Sequence, residues 1–341
     1  MSITIYDVAR YSGVSKSTVS RALNNSQRVS EETRAKVKAA VTALNYKMNG
    51  VARGLVLKRS KTIAVIVQDI RNPFFSFASW YAEKHFGRHG YSMVIYNTDN
   101  NAALEKETLD SIKYRRMDAV LSVGGNRDLT NMINFHLKDE IPVVLVDREV
   151  HGYDIPSVNL DNRHGGMLAT DYLLDLGHRA ILFATSDFNL AEMHRREGYI
   201  ESLRRRGLQL DDQFILSQCE EAWSQGTCPK LSDLIANRRI PTAIFASNDF
   251  KALQVIRILK QRGLSVPGDV SVVGYDDISV ASMVDPPLTT VRQPLEQMID
   301  AGAKLLLEIL HEKYPDPHDM VFKPELVKRD STMSIPGCGR R

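Results

Sequence analysis

One predicted helix near the start of the chain carries four side chains that could bind a polyanion. They lie on one face and are Lys16, Ser17, Ser20 and Arg21. The opposite face carries Val19 and Leu23, whose spacing of four residues is typical of an apolar stripe that packs on a partner. A helix with an apolar back and a hydrogen-bonding front fits the major groove of DNA. The residue types therefore predict a helix that contacts bases.

A preceding short helix and a tight turn would position that face. Thr4 and Asp7 form a capping box that starts the first helix, and Gly13 ends it, because glycine adopts a left-handed backbone without strain. Ser15 then caps the second helix. The stretch TIYDVARYSGVSKSTVSRAL is typical of a helix-turn-helix, although a plain helical hairpin with a solvated face would share its capping signals.

A third helix completes a small N-terminal domain. Ser30 is followed by two glutamates, which suit the positive end of a helix dipole, so we expect the helix to begin there. Its predicted apolar stripe consists of Val37, Val41 and Leu44. The pattern places the end of this domain at residue 46.

The charge of the chain is unevenly distributed. Its 341 residues carry a net charge of +3. Residues 1–60 hold eleven Lys or Arg against three Asp or Glu, a net charge of +8, which leaves −5 for residues 61–341. A basic N-terminal part on a mildly acidic remainder indicates a polyanionic partner at the N-terminal part alone.

Residues 49–57, NGVARGLVL, admit two interpretations. Gly50 and Gly54 each cost about 1 kcal/mol in a helix relative to alanine, and the segment is shorter than an isolated helix needs, which favours a plain linker. The alternative is a hinge that becomes helical only on DNA, where Leu55 would wedge into a step of the minor groove.

From residue 62 onward, strand and helix patterns alternate, which is typical of a doubly wound parallel sheet. The predicted strands span residues 63–67, 91–97, 118–123, 142–147, 180–185, 214–216, 242–247, 270–276, 287–291 and 320–330. The predicted helices span residues 74–89, 102–115, 162–177, 190–206, 227–238, 249–262 and 295–312, with one more before residue 142. The repetition predicts two similar subdomains, and we expect the tail from Ser331 to be flexible.

Polar and aromatic side chains follow the ends of these strands, where open α/β sheets bind ligands. They are Asn72 to Phe75, Asp147-Arg148, Asn248-Asp249 and Asp276-Asp277, with Arg195 and Trp223 in addition. Carboxylates and planar donors bond paired hydroxyls, and aromatic rings stack on C–H faces, so the set is typical of a sugar site. For any single residue, turn chemistry is the alternative explanation.

Other classes of protein find little support in the sequence. It contains no GxxxxGK[ST], GxGxxG, HExxH or GxSxG motif, so nothing in it argues for an enzyme. Cys219, Cys228 and Cys338 lack metal-ligand spacing and are expected to be reduced thiols. No apolar run approaches the ~20 residues that span a bilayer, and the N-terminus lacks a signal-peptide pattern. We therefore expect a cytoplasmic protein without cofactor, metal or membrane partner.

The chain resembles the LacI/GalR family of bacterial transcriptional regulators over essentially its whole length. The motifs that carry the resemblance are TIYDVARYSGVSKSTVSRALN, VSEETRAKVKAAVTALNY, NGVARGL, IRNPFF, GHRAI, ASNDFKAL, DVSVVGYDD, PPLTTVRQP and LVKRDST. The resemblance implies a helix-turn-helix domain joined to two doubly wound parallel-sheet subdomains of the periplasmic-binding-protein type.

The resemblance also implies where the chain divides. The expected parts are a DNA-binding domain (1–46), a hinge or linker (47–60), an effector-binding and dimerisation domain (61–330) and a flexible tail (331–341). In that fold the chain crosses between subdomains three times, near 158–162, 287–292 and 318–323. The first subdomain would comprise about 61–160 with 291–320, and the second about 161–290 with 321–330.

Site residues follow from the same resemblance. The base-reading positions are Lys16, Ser17 and Arg21, and the phosphate-contacting positions are Tyr6, Thr18, Ser20, Asn24, Ser30 and Thr33. Asn49, Ala52 and Leu55 of the hinge complete the expected DNA-binding set. The effector-contacting positions are Phe74, Asp147, Arg195, Trp223, Asn248 and Asp276.

The function implied is that of a homodimeric repressor that binds a palindromic operator in double-stranded DNA. We expect a sugar or sugar acid to control it and a carbohydrate-utilisation operon to be its target, with a purine or nucleoside effector as the alternative. A transport-type sugar-binding protein would leave the basic N-terminal part without a purpose. A Rossmann-like enzyme would need a phosphate loop that the sequence lacks.

Overall fold

The computed structural model describes residues 3–23, 28–46, 60–125, 127–148, 150, 152–186, 189–217, 223, 228–312 and 319–335. The chain separates into two compact units, Met1–Ser60 and Lys61–Arg341. Four predicted DNA-binding positions, Asn24, Asn49, Ala52 and Leu55, lie outside the described residues, as does most of the predicted hinge.

Three helices form the described part of the first unit. They are α1 (Ile5–Ser12), α2 (Lys16–Leu23) and α3 (Glu31–Ala43). The Asp7 carboxylate accepts hydrogen bonds from the backbone N–H of Thr4 at 2.9 Å and from its hydroxyl at 2.7 Å, which fixes the start of α1. Gly13 has a φ of +68°, so the helix ends in the left-handed conformation that the sequence predicted. A small core holds the three helices together and contains Val8, Val19, Ala22, Val29, Val37 and Ala40.

The second unit contains two six-stranded sheets with helices between their strands. The elements up to the middle of the unit are β1 (Thr62–Val67), α4 (Pro73–Arg88), β2 (Ser92–Asn97), α5 (Ala102–Tyr114), β3 (Ala119–Val123), α6 (Thr130–Asp139), β4 (Val143–Val146), β5 (Ser157–Leu160) and α7 (Asn162–Asp175). The remainder are β6 (Ile181–Thr185), α8 (Leu190–Arg205), β7 (Ile215–Ser217), α9 (Pro229–Ala236), β8 (Ala243–Ala246), α10 (Asp249–Gln261), β9 (Ser271–Asp276), β10 (Thr289–Arg292), α11 (Leu295–Leu310), β11 (Asp319–Phe322) and β12 (Glu325–Val327).

The two sheets have the same architecture. The first sheet has the strand order β11-β5-β4-β3-β1-β2, and all of its neighbouring strands run parallel. The second has the order β12-β10-β9-β8-β6-β7, in which only β12 runs antiparallel to its neighbour. Central strands β1, β3, β6 and β9 are buried almost throughout, which explains their unbroken apolar runs. The predicted fold class is confirmed.

The chain passes between the sheets at three places. Strands β5 and β10 each precede a helix of the other subdomain, and β11 and β12 lie in different sheets. Helix α11 packs against β3, β4 and β5 of the first sheet. Periodicity alone had suggested one strand over 320–330, but Lys323-Pro324 separates two short strands there. Strand β5 was absent from the strands predicted by periodicity.

The expectation of a flexible tail from Ser331 is wrong for residues 331–335. Ser331 is fully buried, and its hydroxyl donates to the Val272 carbonyl at 2.6 Å and accepts from the Thr289 N–H at 2.8 Å. The Ile335 N–H donates to the Leu176 carbonyl at 2.9 Å. The two Ser331 bonds satisfy buried backbone groups of β9 and β10, and the Ile335 bond joins the segment to the end of α7.

In the described part of the chain, no helix has both the length and the apolar character that crossing a membrane requires.

Candidate functional site

The first unit presents a polar face built by α1 and α2. Lys16, Ser17 and Arg21 are exposed on α2, whereas Val19 is fully buried beneath them. Tyr6 on α1 is 60% exposed and lies beside this face. The Lys16 ammonium donates to the Tyr6 hydroxyl at 3.2 Å and lies 4.7 Å from the centre of its ring. The structure therefore brings the predicted base-reading side chains onto one exposed surface.

Of the predicted phosphate-contacting residues, Thr18, Ser30 and Thr33 lie at helix starts. The Ser15 hydroxyl accepts from the Thr18 N–H at 3.1 Å and so caps α2. Ser30 caps α3 by accepting from the Thr33 N–H at 3.3 Å, and its own hydroxyl donates to Thr33 Oγ1 at 2.9 Å. Helix starts carry partial positive charge and suit phosphate groups. Ser20 lies half-buried within α2.

A cleft in the second unit collects the predicted effector-contacting residues. It is lined by residues at or beyond the ends of β1, β2, β3 and β4 of the first sheet and of β6, β8, β9 and β10 of the second. Five of the six predicted residues line it: Phe74, Asp147, Arg195, Asn248 and Asp276. Because carboxyl ends of parallel strands meet at one edge, side chains distant in sequence come together here.

Arg195 on α8 is the central charge of the cleft, and it is 4% exposed. Its guanidinium lies 3.8 Å from a carboxylate oxygen of Asp147 and 3.8 Å from one of Asp276. The group also donates to the Ser247 carbonyl at 2.6 Å and stacks 3.8 Å from the centre of the Tyr275 ring. Burial works to lower the pKa of Arg195, but Tyr275, Asp276 and Asp147 outweigh it and raise that pKa.

Asn162 connects the two subdomains beside this arginine. Its side-chain N–H donates to Asp147 Oδ1 at 2.8 Å, and its Oδ1 accepts from Arg195 Nε at 2.8 Å. Asn162 is the first residue of α7, directly after the chain has crossed from β5. Asn162 therefore joins Asp147 of the first subdomain to Arg195 of the second at the first crossing of the chain.

Two cleft carboxylates occupy strained backbone. Asp147 has a φ of +51° and Asp276 a φ of +116°, a region in which residues other than glycine are uncommon. Such strain costs on the order of 1–3 kcal/mol and persists where surrounding structure enforces it, as at ligand clamps. In these uncommon backbone conformations, both carboxylates lie 3.8 Å from the Arg195 guanidinium.

The pKa of the Asp276 carboxyl group is also shifted. Burial, set against the attraction of Arg195, raises the pKa of Asp276 to about 7. Its Oδ1 accepts a hydrogen bond from Gln293 Nε2 at 2.6 Å. Gln293 follows β10, at the second crossing between the subdomains.

A buried ion pair between Lys251 and Glu192 lies at the wall of the cleft. Lys251 is fully buried and donates to Glu192 Oε1 at 2.8 Å, while the Thr185 hydroxyl and the Ser186 N–H donate to Glu192 Oε2 at 2.7 and 2.8 Å. Burial alone would raise the pKa of Glu192, but Lys251 and these donors lower it to about 2. Glu192 lines the cleft as a fixed carboxylate whose charge is already matched.

Trp223 does not join the cleft. Its side chain is 0% exposed, it packs in the hydrophobic core of the second unit, and its indole N–H donates to the Thr185 carbonyl at 3.2 Å. With its polar atom satisfied and its ring buried, Trp223 has no surface to offer a ligand in this structure. The expectation that it contacts an effector therefore gains no support from the geometry.

In each of three residue pairs at the ends of strands, the first residue lines the cleft and the second binds another element. Asp147, Asn248 and Asp276 line the cleft, whereas their neighbours Arg148, Asp249 and Asp277 hold other elements in place. Arg148 pairs with the buried Glu105 at 2.7 Å. Asp249 accepts from the Ile278 N–H at 2.9 Å and the Thr290 hydroxyl at 2.6 Å. Asp277 binds Arg292 and Arg329.

Several cleft residues were missed by reasoning from the sequence. They include Gln68, Asn189, Phe250 and Gln293. Asn189 donates to Gln68 at 3.4 Å between the two subdomains, and the signal that could have identified Gln68 is its position directly after β1. Nothing in the local sequence distinguishes Gln293. In the described ranges, no three His, Cys, Asp or Glu side chains are grouped so as to hold a metal ion.

Comparison with known proteins defines the family. The profile "Bacterial regulatory proteins, lacI family" matches residues 4–49, and "Periplasmic binding protein-like domain" matches residues 170–332. The HTH-type transcriptional repressor PurR of Vibrio vulnificus (strain CMCP6) is 34% identical over 336 residues, which cover 97% of this chain and 99% of that protein. The chain therefore belongs to the lacI family of bacterial regulatory proteins. It is a DNA-binding transcriptional regulator and not an enzyme.

Solved structures agree over nearly the full length. The lac repressor dimer bound to operator and the anti-inducer ONPF is 26% identical, with a TM-score of 0.83, and the match covers 98% of this chain and 100% of that one. The complex of the transcriptional regulator CelR with cellobiose is 29% identical, with a TM-score of 0.71, over 96% of this chain and 99% of that one.

Proposed function

We propose that this chain is a cytoplasmic, homodimeric repressor whose affinity for a palindromic operator is set by a sugar or sugar acid in the cleft. The observation that carries the proposal is Arg195, buried in the cleft between Asp147 of one subdomain and Asp276 of the other. A ligand that binds these groups changes the contacts between the subdomains. Such a change alters DNA affinity when the ligand binds one conformation better than the other, typically with a coupling of 1–3 kcal/mol.

Two relatives support the parts of this proposal. The lac repressor structure is a dimer bound to operator, which supports a symmetric DNA complex with one α2 in each of two successive major grooves. The CelR structure contains cellobiose, which supports a carbohydrate effector and a carbohydrate-utilisation operon as the target.

A purine or nucleoside effector is the second candidate. The observation in its favour is that a repressor named PurR is among the most similar relatives, at 34% identity. Titration of the protein with hypoxanthine and with sugars, followed by calorimetry, distinguishes the two candidates.

Selection of genomic DNA fragments by the purified protein tests the proposed operator binding. We expect enrichment of a small set of fragments that share an inverted repeat, at moderate salt and above random competitor DNA. No enrichment with any fragment, with candidate metabolites present or absent, would contradict the proposal.

Arg21→Ala tests the assignment of the α2 face. The substitution is expected to cost about 1–3 kcal/mol at the operator and to relax the preference at one base pair, because Arg21 is placed to read a base edge. Arg10→Ala is the matched control, since Arg10 is exposed near the end of α1 and outside the predicted contact set. Gel-shift titrations on operator variants measure both. An equal loss of affinity for every sequence would mean that Arg21 contacts only phosphate.

A further inference from the structure

Lys16 lies where a cation does not stabilise its own helix. It is the first residue of α2, at the end where the helix dipole is positive. Helices α1 and α3 carry acidic residues in their first turns, Asp7 in α1 and Glu31 with Glu32 in α3, whereas the first turn of α2 contains none. A residue that breaks a local rule of helix stability is expected to serve a function instead.

The side chain of Tyr6 on α1 contacts the Lys16 ammonium in two ways. The Tyr6 hydroxyl oxygen accepts a hydrogen bond from Lys16 Nζ at 3.2 Å, and the ammonium lies 4.7 Å from the centre of the Tyr6 ring. A hydrogen bond and a cation–π contact from one aromatic side chain restrict a cation that is carried on a flexible four-carbon stem. Both side chains are exposed, so the contact lies on the polar face of the first unit and not in its core.

Tyr6 orients this cation without neutralising it. A carboxylate in the same place would form an ion pair with the ammonium and oppose the attraction to a polyanion, whereas a phenol is uncharged at neutral pH. The hydrogen bond to Tyr6 uses one of the three N–H donors of Lys16. The other two donors can be offered to acceptors on a partner.

Guanine is the base whose major-groove edge fits two donors from one side chain. Its O6 and N7 atoms are both acceptors. Adenine presents a donor beside its N7, thymine presents an acceptor beside a methyl group, and cytosine presents a donor. A lysine that moves freely also donates to phosphate oxygens, which carry no sequence information. Restriction of Lys16 by Tyr6 therefore favours contact with a base edge over contact with phosphate.

We infer that Tyr6 is a positioning residue that acts through Lys16 and directs it to the O6 and N7 atoms of one guanine in each operator half-site. The inference rests on the proposed binding of a palindromic operator and deepens it, because it names one base of the operator and the side chain that restricts its reader. The hydroxyl hydrogen of Tyr6 can still be donated to a phosphate oxygen, so the predicted phosphate contact of Tyr6 is compatible with this role.

Selection from a pool of randomised duplexes by the full-length protein tests the base assignment without a known operator. We expect the unsubstituted protein to enrich an inverted repeat with a G·C pair in each half-site. Lys16→Met is expected to reduce the preference for that pair about 5- to 150-fold, which is the discrimination of one two-donor base contact. A Lys16→Met motif that is unchanged, or that changes only at other base pairs, overturns this inference alone. No enriched motif overturns the operator proposal and the inference together.

Tyr6→Phe isolates the hydroxyl, because it keeps the aromatic ring and the cation–π contact. We expect it to reduce the preference for guanine at the Lys16 position about 3- to 10-fold, which is the loss of one hydrogen bond, and to leave the other positions of the motif unchanged. Competition gel shifts with duplexes that differ only at that base pair measure the ratio. Tyr11→Phe is the matched control, since Tyr11 is an exposed tyrosine of the same helix and lies outside the predicted contact set. A loss of affinity by Tyr6→Phe that is equal for all four bases contradicts the positioning role.

The doubly substituted protein separates positioning from a structural role. If Tyr6 acts through Lys16, Tyr6→Phe causes no further loss of guanine preference in the Lys16→Met background. Additive losses would show that Tyr6 reads the base independently, and they would overturn the inference. A general weakening of the first unit would lower the affinity for every duplex alike and would leave the ratio between bases unchanged, so the ratio reports positioning and not stability.

Discussion

The two subdomains of the second unit share a strand order but differ in the chemistry they bring to the cleft. Each contains a fully buried ion pair behind its sheet edge: Arg148–Glu105 at 2.7 Å in the first and Lys251–Glu192 at 2.8 Å in the second. Only the second pair reaches the cleft, where Glu192 is part of the lining. Two subdomains with the same strand order can therefore place a buried ion pair at the cleft or away from it. The placement depends on the particular side chains.

The contributions to the cleft are correspondingly unequal. The first subdomain provides the rings of Phe74 and Phe75 and the carboxylates of Asp69, Asp99 and Asp147. The second provides Arg195, Asn248 and Asp276. The buried polar groups of the lining come mostly from the second subdomain, which provides Glu192, Arg195, Asp276 and Gln293, whereas the first provides Gln68.

The largest expected effect on stability comes from replacing the cation of each buried ion pair. The two substitutions also test whether the pairs differ in their effect on the cleft. Arg148→Met and Lys251→Met are each expected to lower the free energy of unfolding by about 3–5 kcal/mol, because each leaves a carboxylate buried without a partner. Urea denaturation followed by circular dichroism measures the loss. Only Lys251→Met is expected to weaken ligand binding in the cleft as well.

A compensating substitution provides the control for that experiment. Glu192→Gln in the Lys251→Met background removes the uncompensated charge and is expected to recover most of the lost stability. If Arg148→Met weakens ligand binding as much as Lys251→Met does, the two pairs are equivalent and the difference between the subdomains is not real.

Alanine at one helix glycine in each subdomain gives an intermediate effect. A Cβ at Gly198 on α8 would lie 2.1 Å from the Arg163 carbonyl oxygen, whereas one at Gly302 on α11 would lie 2.8 Å from Val146 Cγ2. Overpacking typically costs 1–3 kcal/mol, and backbone yields less readily than a side chain. We expect Gly198→Ala to lower the melting temperature more than Gly302→Ala. The reverse order would show that the α7–α8 contact relaxes more easily than the packing of α11 on its sheet.

The smallest expected effect is a change in pH dependence. Because burial raises the pKa of Asp276 to about 7, the folded state favours its neutral form. Ionising Asp276 in the folded state therefore lowers the free energy of unfolding. This loss is absent below the unfolded pKa of 3.8, grows as pH rises, and is fully present above about 7. Asp276→Asn should therefore stabilise the protein more, relative to the unsubstituted chain, at about pH 8 than at about pH 5. Free energies of unfolding at the two pH values test this, and an unchanged difference would contradict it.

Much of the fold could be predicted because its signals are local. Gly13 ends α1 and Ser30 begins α3 where the capping patterns placed them, and buried strands of the central sheets read as unbroken apolar runs. Strand β5 was not predicted because SVNL is short and contains two polar residues, Ser157 and Asn159. The segment 331–335 was predicted to be flexible because its order depends on hydrogen bonds to β9 and β10, which are remote in sequence.

The candidate site was predictable only in part. The pairs after the strands were visible in the sequence, but not which member of each pair faces the cleft. Asp147 and Asp276 face it and lie 3.8 Å from the Arg195 guanidinium, a contact between segments that are remote in sequence. Gln293 had no local signal, since its role depends on the crossing of the chain from β10 to α11.

The sequence by itself determined the three N-terminal helices, the alternation of strands and helices, the basic charge of the first 60 residues and the family to which the chain belongs. These properties follow from caps, periodicity and composition, each of which acts over a few residues. The tertiary structure alone decided the grouping of Arg195 with Asp147 and Asp276, the burial of Trp223 and the hydrogen bond from Gln293 to Asp276. Those features depend on the packing of two sheets from segments far apart in the chain, and no short pattern encodes such distances.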